Sequence, residues 1–403
     1  MKILFLLFSP PTGTWGSLTR VLALAERASA EGDEIAFCAS GVLAGRLRDF
    51  GYRVFDVPRS TMFGLPLPIS RLMERKSQKI ALPVKEGKAI GSVWFVLKLS
   101  GMTGRRYLER LVAAELAVIE GFKPDVLFTE MDPGAFLASM ISGIRLFATY
   151  ASVMERGKDT RTYARLMKTM RLILKEHGVS KALMDGPYNL PCVRWLVPSI
   201  PELEEPGPEM KGALFAGSFL GSFGSARESG FELDPTKRYV FAYVGTGSVS
   251  LGLLMRTLPE VFPSGSDTLC LVGAQSIRRE LRLGNVVFRP YFDAGRIIPH
   301  CEWVICHGGH NTIMQSLSCG VPLLIFPGPI FERRFNASMV QRSGAGFMLE
   351  LSDFRKERIL EAMSSRDSCA AVAQTLGERI RAYDGPGIAL AAMREEMGRE
   401  REG

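Results

Sequence analysis

The chain has 403 residues, 46% of them hydrophobic and 23% charged, with a formal net charge of +8. That length exceeds what one hydrophobic core ordinarily serves, so two units of about 200 residues are expected, and no stretch approaches the ~18 uninterrupted apolar residues of a membrane-spanning helix. The basic balance favours anionic partners, among which nucleotide sugars, anionic lipid surfaces and nucleic acid all qualify, and the seven cysteines, scattered from Cys38 to Cys369, are too sparse and uneven for a disulfide framework.

At the N-terminus an apolar run over 3–8 stops at Ser9-Pro10-Pro11, after which Leu18, Val21, Leu22, Ala25 and Ala28 share one helical face. This reads as a buried strand and its following helix rather than a signal peptide, and a cytoplasmic protein is expected. Further strands are predicted over 34–38, 52–57 and 125–129, with helices from Leu43 and Pro133, an alternation that implies a parallel sheet wrapped by helices. Ten Lys or Arg residues between Arg71 and Arg110 are interleaved with Leu72, Ile80, Leu82, Trp94 and Phe95, and a second basic stretch runs from Arg156 to Lys175. Such stretches suit solvated helix faces, an anionic lipid surface, or a phosphorylated or acidic acceptor.

From Pro198 to Pro235 the alternation gives way to Pro-, Gly-, Ser- and Glu-rich sequence, the expected interdomain linker. It then restarts, with strands over 239–244, 268–272, 285–289, 303–306 and 323–326. A last helix is expected after Asp384-Gly385-Pro386-Gly387. There is no internal repeat and no low-complexity tract.

The most informative stretch is Cys306-His307-Gly308-Gly309-His310-Asn311-Thr312, a strand that turns through two glycines into a helix. Glycines let an anion approach the backbone, the first helical N–H groups lack intrahelical partners, and the helix dipole favours negative charge there. A second glycine turn, Gly245-Thr246-Gly247-Ser248, also follows a predicted strand, where open parallel sheets place their ligands. Either turn alone is commonly structural; together they point to one ligand held between them. His300, Cys301, Cys306, His307 and His310 are metal-competent, but they lack Cys-x-x-Cys spacing and Cys306 and His307 point to opposite faces, so no metal site is expected.

Residues 285–350 resemble the nucleotide-sugar glycosyltransferases of the two-Rossmann-domain (GT-B) kind, most like bacterial, antibiotic-glycosylating members of glycosyltransferase family 1 and more distantly family 28. The likeness rests on Arg289-Pro290, His307 to Thr312, Gly320-Val321-Pro322, Pro327, Glu332-Arg333 and Asn336-Ala337. It implies an α/β GT-B fold with two facing Rossmann-like domains: an acceptor domain over 1–205, a nucleotide-sugar domain over 206–385, and a final helix, 386–403, packing back on the first domain. It also implies that His307 bonds the donor phosphates, with Gly308 and the backbone of Gly309, His310, Asn311 and Thr312 around them, Gly245 and Thr246 opposite, and Arg289-Pro290 bordering the base. Two positions depart from the family pattern. Gln315 replaces a glutamate that grips the ribose, and Arg333, after Glu332, replaces a glutamine that contacts the sugar; a glutamine still hydrogen-bonds ribose, and an arginine suits an acidic or unusual donor sugar.

In the first half, alignment of Ala23-Leu24-Ala25-Glu26 with the family places Gly16-Ser17 where Gly-His normally stands. The usual base is absent, and a serine hydroxyl is too weakly basic to replace it, so Ser17 is expected to bind only. Glu130 and Asp132 are the candidate bases, lying where relatives keep the carboxylate that orients the histidine; Asp132 before Pro133 also reads as a helix cap. Arg20 either faces phosphate or an acidic acceptor or is a solvated helix residue, Trp15 either lines the acceptor cleft or caps the sheet, and His177 reads as surface. The expected activity is metal-independent, inverting transfer from a UDP- or dTDP-linked sugar to a small-molecule acceptor, with no cofactor beyond that co-substrate and no nucleic acid. A lipid-linked acceptor at the membrane surface, a non-catalytic nucleotide-sugar-binding partner and an epimerase are the alternatives.

Overall fold

The computed structural model describes residues 1–11, 16–77, 87–179, 192–205, 207, 211–221, 231–244 and 248–402, apart from the side chains of 75–77 and 399–402. The first unit runs β1 (Lys2–Leu7), α1 (Gly16–Ala30), β2 (Glu34–Ala39), α2 (Gly41–Asp49), β3 (Val54–Asp56), α3 (Leu67–Ser77), α4 (Val93–Leu99), α5 (Arg105–Phe122), β4 (Val126–Glu130), α6 (Pro133–Ser142), β5 (Leu146–Thr149), α7 (Arg161–Glu176), β6 (Val193–Val197) and β7 (Leu214–Phe215). Its sheet is parallel throughout, in the order β3-β2-β1-β4-β5-β6-β7. Ile3 to Leu6 are wholly buried, as continuous apolar strands are when helices cover both faces of a sheet.

The second unit runs β8 (Arg238–Tyr243), α8 (Leu251–Val261), β9 (Thr268–Gly273), β10 (Leu281–Leu283), β11 (Val286–Arg289), α9 (Ala294–Ile297), β12 (Cys301–Cys306), α10 (His310–Ser318), β13 (Leu323–Ile325), α11 (Phe331–Ser343), β14 (Gly346–Met348), α12 (Lys356–Met363) and α13 (Arg366–Arg381). Its order is β10-β11-β9-β8-β12-β13-β14, parallel except for the edge strand β10. Each sheet carries an apolar core on both faces.

The last helix, α14 (Gly385–Glu402), returns to the first unit. Ala389, Leu390 and Met393 are fully buried in one cluster with Phe5, Val21 and Leu24. Arg394 bonds Glu31 at 2.6 Å and Asp33 at 2.8 Å, and Asp33 also holds the Met1 ammonium at 2.7 Å.

Several boundaries differ from the sequence reading. The stretch expected to be a linker supplies β7, paired with β6 through Leu196 and Leu214, so the first sheet continues past 205. The last helix starts at Gly385, before the Pro-Gly pair, because Asp384 Oδ1 accepts the Gly387 N–H at 3.2 Å and Pro386 sits in a first turn, where a missing N–H is harmless. Glu130 ends β4 instead of following it, in register with Leu7. No helix among the described residues is long and apolar enough to cross a membrane.

Candidate active site

Each sheet reverses its winding at its centre, between β1 and β4 in one unit and between β8 and β12 in the other. The carboxyl ends of the strands open a crevice at such a reversal. Leu7 and Glu130 mark the rim of the first crevice, and Tyr243 and Cys306 that of the second. Gly245 and Thr246, like Trp15, lie outside the described residues, but Ser248 donates to the Phe326 carbonyl just past β13.

After Cys306 the chain turns through His307, Gly308 and Gly309 into α10. Gly308 has φ +85°, and a β-carbon there would stand 2.7 Å from the Arg333 carbonyl; one on Gly309 would meet His307 Nε2 at 2.8 Å. Asn336 Nδ2 closes the turn by donating to Gly308 O at 3.0 Å. Only glycine allows a turn this tight against α11. The N–H groups of His310, Asn311 and Thr312 are therefore those of a helix opening, where an anion finds unpaired donors.

Two histidines and two arginines flank this turn. Burial, with the Arg333 cation beside it, pushes His307 down to about 4, although its Nδ1 lies 3.4 Å from Tyr243 O. Burial and the Arg20 cation push His310 down to about 3, with a small opposing effect of the Asn311 side chain. Neither ring nitrogen of His310 has a hydrogen-bond partner of normal geometry among the described residues. Both rings are thus neutral near pH 7, and the positive charge comes from the guanidinium groups. Arg333 is lowered from its ordinary value by burial and partly restored by Glu332.

Arg20, on the first turns of α1, reaches across to this turn. Its Nε bonds Glu130 Oε1 at 2.8 Å and its Nη2 bonds Oε2 at 3.3 Å, while Nη1 bonds Asn311 Oδ1 at 3.0 Å. Asn311 Nδ2 in turn donates to Gly16 O at 3.0 Å and Thr19 Oγ1 at 2.5 Å. Of the two sequence readings of Arg20, the solvated helix residue is therefore excluded: the side chain is 18% exposed and its partner Glu130 3%. Burial raises the Glu130 carboxyl above its ordinary range, opposed by Arg20 and by a bond from Thr149. Ser17 is half-buried beside this contact.

Asp132 caps α6, its Oδ1 accepting the Gly134 N–H at 2.8 Å. Burial pushes its carboxyl up to about 6 against that bond. Its neighbour Glu115 was not foreseen: it is fully buried on α5, and burial and the Asp132 charge hold its carboxyl well above the ordinary range. The signal was available, since Glu115 falls on the apolar stripe of Leu108, Leu111, Val112, Ile119 and Phe122. Between Glu130 and Asp132, Met131 takes φ +62°, a left-handed conformation that costs a non-glycine residue energy and recurs at functional sites. Met131 lines an apolar cavity of about 30 Å³ with Trp94, Phe136, Met154, Met167 and Trp195.

The remaining expected donor residues surround the turn at different distances from it. Gln315 lies one turn along α10, its Nε2 3.6 Å from the β-position of Gly295 in α9. Glu332 is exposed at the start of α11, and its charge acts on Arg20, Glu130 and Arg333. Arg289, at the end of β11, is engaged by Glu280 at 2.6 Å and by the rings of Phe231 and Phe292, while Pro290 is exposed.

Residues 273–375 match the glycosyltransferase family 28 C-terminal domain, and with two facing doubly wound domains the chain is a nucleotide-sugar glycosyltransferase of the GT-B type, related to natural-product sugar transferases. It is similar to an uncharacterized glycosyltransferase of Methanosarcina acetivorans, 24% identical over 96% of each chain. Among solved structures the glycotransferase of kitacinnamycin matches 98% of each chain with a TM-score of 0.71 at 19% identity. The glycosyltransferase VinC in complex with DTDP matches with a TM-score of 0.69 at 15% identity, covering 99% of this chain and 100% of the other.

Proposed function

We propose that this enzyme moves a sugar, with inversion, from a UDP- or dTDP-linked donor held by the second unit to a small-molecule acceptor held by the first. The observation that carries this reading is the meeting of the two crevices: the opening of α10 touches the opening of α1 through Asn311, and Arg20 links that point to Glu130. The diphosphate would lie on the backbone N–H groups of residues 309–312, where the helix opening and the neighbouring guanidinium groups stabilise the leaving charge without a metal. His307 and the unpaired ring of His310 would supply neutral hydrogen bonds, and an orphaned buried polar group of this kind costs about 1–3 kcal/mol until a ligand satisfies it. Gln315 would bond the ribose, Arg289-Pro290 would border the base, and Glu332-Arg333 would face the sugar.

In the transfer, an acceptor oxygen attacks the anomeric carbon, its proton passes to a base, and the bond from that carbon to the diphosphate breaks. We assign the base to Glu130, because burial raises its basicity while Arg20 keeps it ionised. Asp132 serves as the cap, and Ser17 binds the acceptor. Mixing the protein with UDP- and dTDP-sugars and a panel of phenolic and alcoholic acceptors should release nucleoside diphosphate with one new glycoside. Donor binding with neither transfer nor hydrolysis across that panel would instead establish a nucleotide-sugar-binding partner.

One observation favours an acceptor presented at a lipid surface. The outward face of α7 exposes Arg161, Arg165, Lys168, Arg171, Leu172 and Lys175, and its neighbour α4 exposes Phe95. Sedimentation with phosphatidylglycerol vesicles but not with phosphatidylcholine vesicles supports that reading, and equal recovery with both removes it.

A further inference from the structure

The two edges of the Arg20 guanidinium do different things. Nε and Nη2 lie on Glu130, a buried carboxylate fixed at the end of β4, so the plane of the group is set by the first unit. Nη1 projects beyond that pair to the opening of α10, where its partner is the neutral amide oxygen of Asn311. A phosphate oxygen is a charged acceptor and forms the stronger bond with a guanidinium, and Arg20 already feels the negative charge of Glu332 on the far side of the turn. Arg333 stands on the other flank, beside His307 and Cys306. Cationic groups therefore border the turn from both units.

We propose that Arg20 is a donor-binding residue supplied by the acceptor unit. Its Nη1 leaves Asn311 Oδ1 for an oxygen of the donor diphosphate while Nε and Nη2 remain on Glu130. One guanidinium then touches both the departing phosphate and the carboxylate that takes the acceptor proton. The inference rests on the nucleotide-sugar reading above and adds that the donor is gripped from both units before an acceptor arrives. The competing role for Arg20 is structural, the neutralisation of a buried Glu130.

Calorimetric titration of the full chain with UDP and dTDP, and with uridine and thymidine, separates these roles. Arg20→Met strands the buried Glu130 charge, so the balanced pair Arg20→Met with Glu130→Gln is measured beside it, both checked for folding by thermal melting. The expected result is a loss of about ten- to hundredfold in diphosphate affinity in both proteins with nucleoside affinity unchanged. Arg20→Lys should restore part of the loss, since it returns a charge without the fork. Wild-type diphosphate affinity in the folded, balanced variant overturns the proposal. An equal loss for nucleoside and diphosphate also overturns it, because the effect then does not belong to the phosphates. If the wild-type protein itself binds neither UDP nor dTDP, it is the underlying donor reading that fails.

Discussion

Arg20 Nη1 and Asn311 Oδ1 stand 3.0 Å apart although 291 positions separate them in the chain. With the two bonds from Asn311 Nδ2 to α1, the amide side chain fastens the turn before α10 to the first unit. Asn311→Ala removes all three contacts, each worth about 1 kcal/mol net. Hydrogen exchange of the amides in the first turns of α1 should quicken, with that of α14 unaltered. Unchanged exchange at Gly16 to Arg20 would mean that this fastening is not maintained in solution.

Glu130→Gln should lower kcat/KM by about 10² to 10⁴, the usual contribution of a general base. Burial raises the Glu130 carboxyl, and a base works only when ionised. The wild-type rate should therefore fall with decreasing pH through a limb lying above the ordinary glutamate value of about 4.3. That limb disappears in the variant. A limb that persists in Glu130→Gln assigns the proton transfer to another group.

Gly308→Ala places a β-carbon 2.7 Å from the Arg333 carbonyl at a backbone φ of +85°. The strained backbone costs about 1–3 kcal/mol, and relief requires α11 to move, carrying Asn336 off the turn. The melting temperature should fall and binding of UDP or dTDP should weaken at least tenfold. A variant with wild-type melting and binding would show that the turn is looser than described.

The acid pair behind Met131 should make stability depend on pH. Burial lifts Asp132 from 3.8 to about 6, so the folded chain holds its proton more tightly than the unfolded chain. The stability that this group adds is complete below pH 3.8 and is lost as pH rises through about 6; Glu115 is raised in the same sense. The buried histidines act oppositely, losing stability as pH falls from 6.5 toward about 4 for His307. Urea midpoints of wild type and Asp132→Asn, compared across pH, cancel the histidine contribution. The asparagine preserves the cap and should gain on wild type as pH rises, whereas Asp132→Ala should lose about 1 kcal/mol of capping at every pH. A constant difference between wild type and Asp132→Asn would refute the shift.

The glycine turn after β12 was legible in sequence because a buried strand, two glycines and a helix start fall within seven residues, whereas Asn336 and the Arg333 carbonyl that tighten it come from α11 and were not. The alternating strands and helices were legible for the same reason, down to Ile3–Leu6 and the apolar face of α1. Leu214–Phe215 was not, since two residues on a sheet edge carry no periodicity, and the Pro- and Gly-rich sequence around them resembles a linker. Arg20, Glu130 and Asn311 come from three elements that no local pattern connects, so the sequence showed each alone and left Arg20 indistinguishable from a surface residue. Glu115 is a different case: a carboxylate in the middle of an apolar helical stripe is visible without coordinates.

The packing of α14 sets an order of events during synthesis. Ala389, Leu390 and Met393 fill the cluster begun by Phe5, so the half made first on the ribosome cannot close its own interior until the half made second has emerged. The patch that α14 covers stays open beside α1 while β8 to α13 are completed, and that interval is when a nascent chain most readily sticks to others or is held by a chaperone.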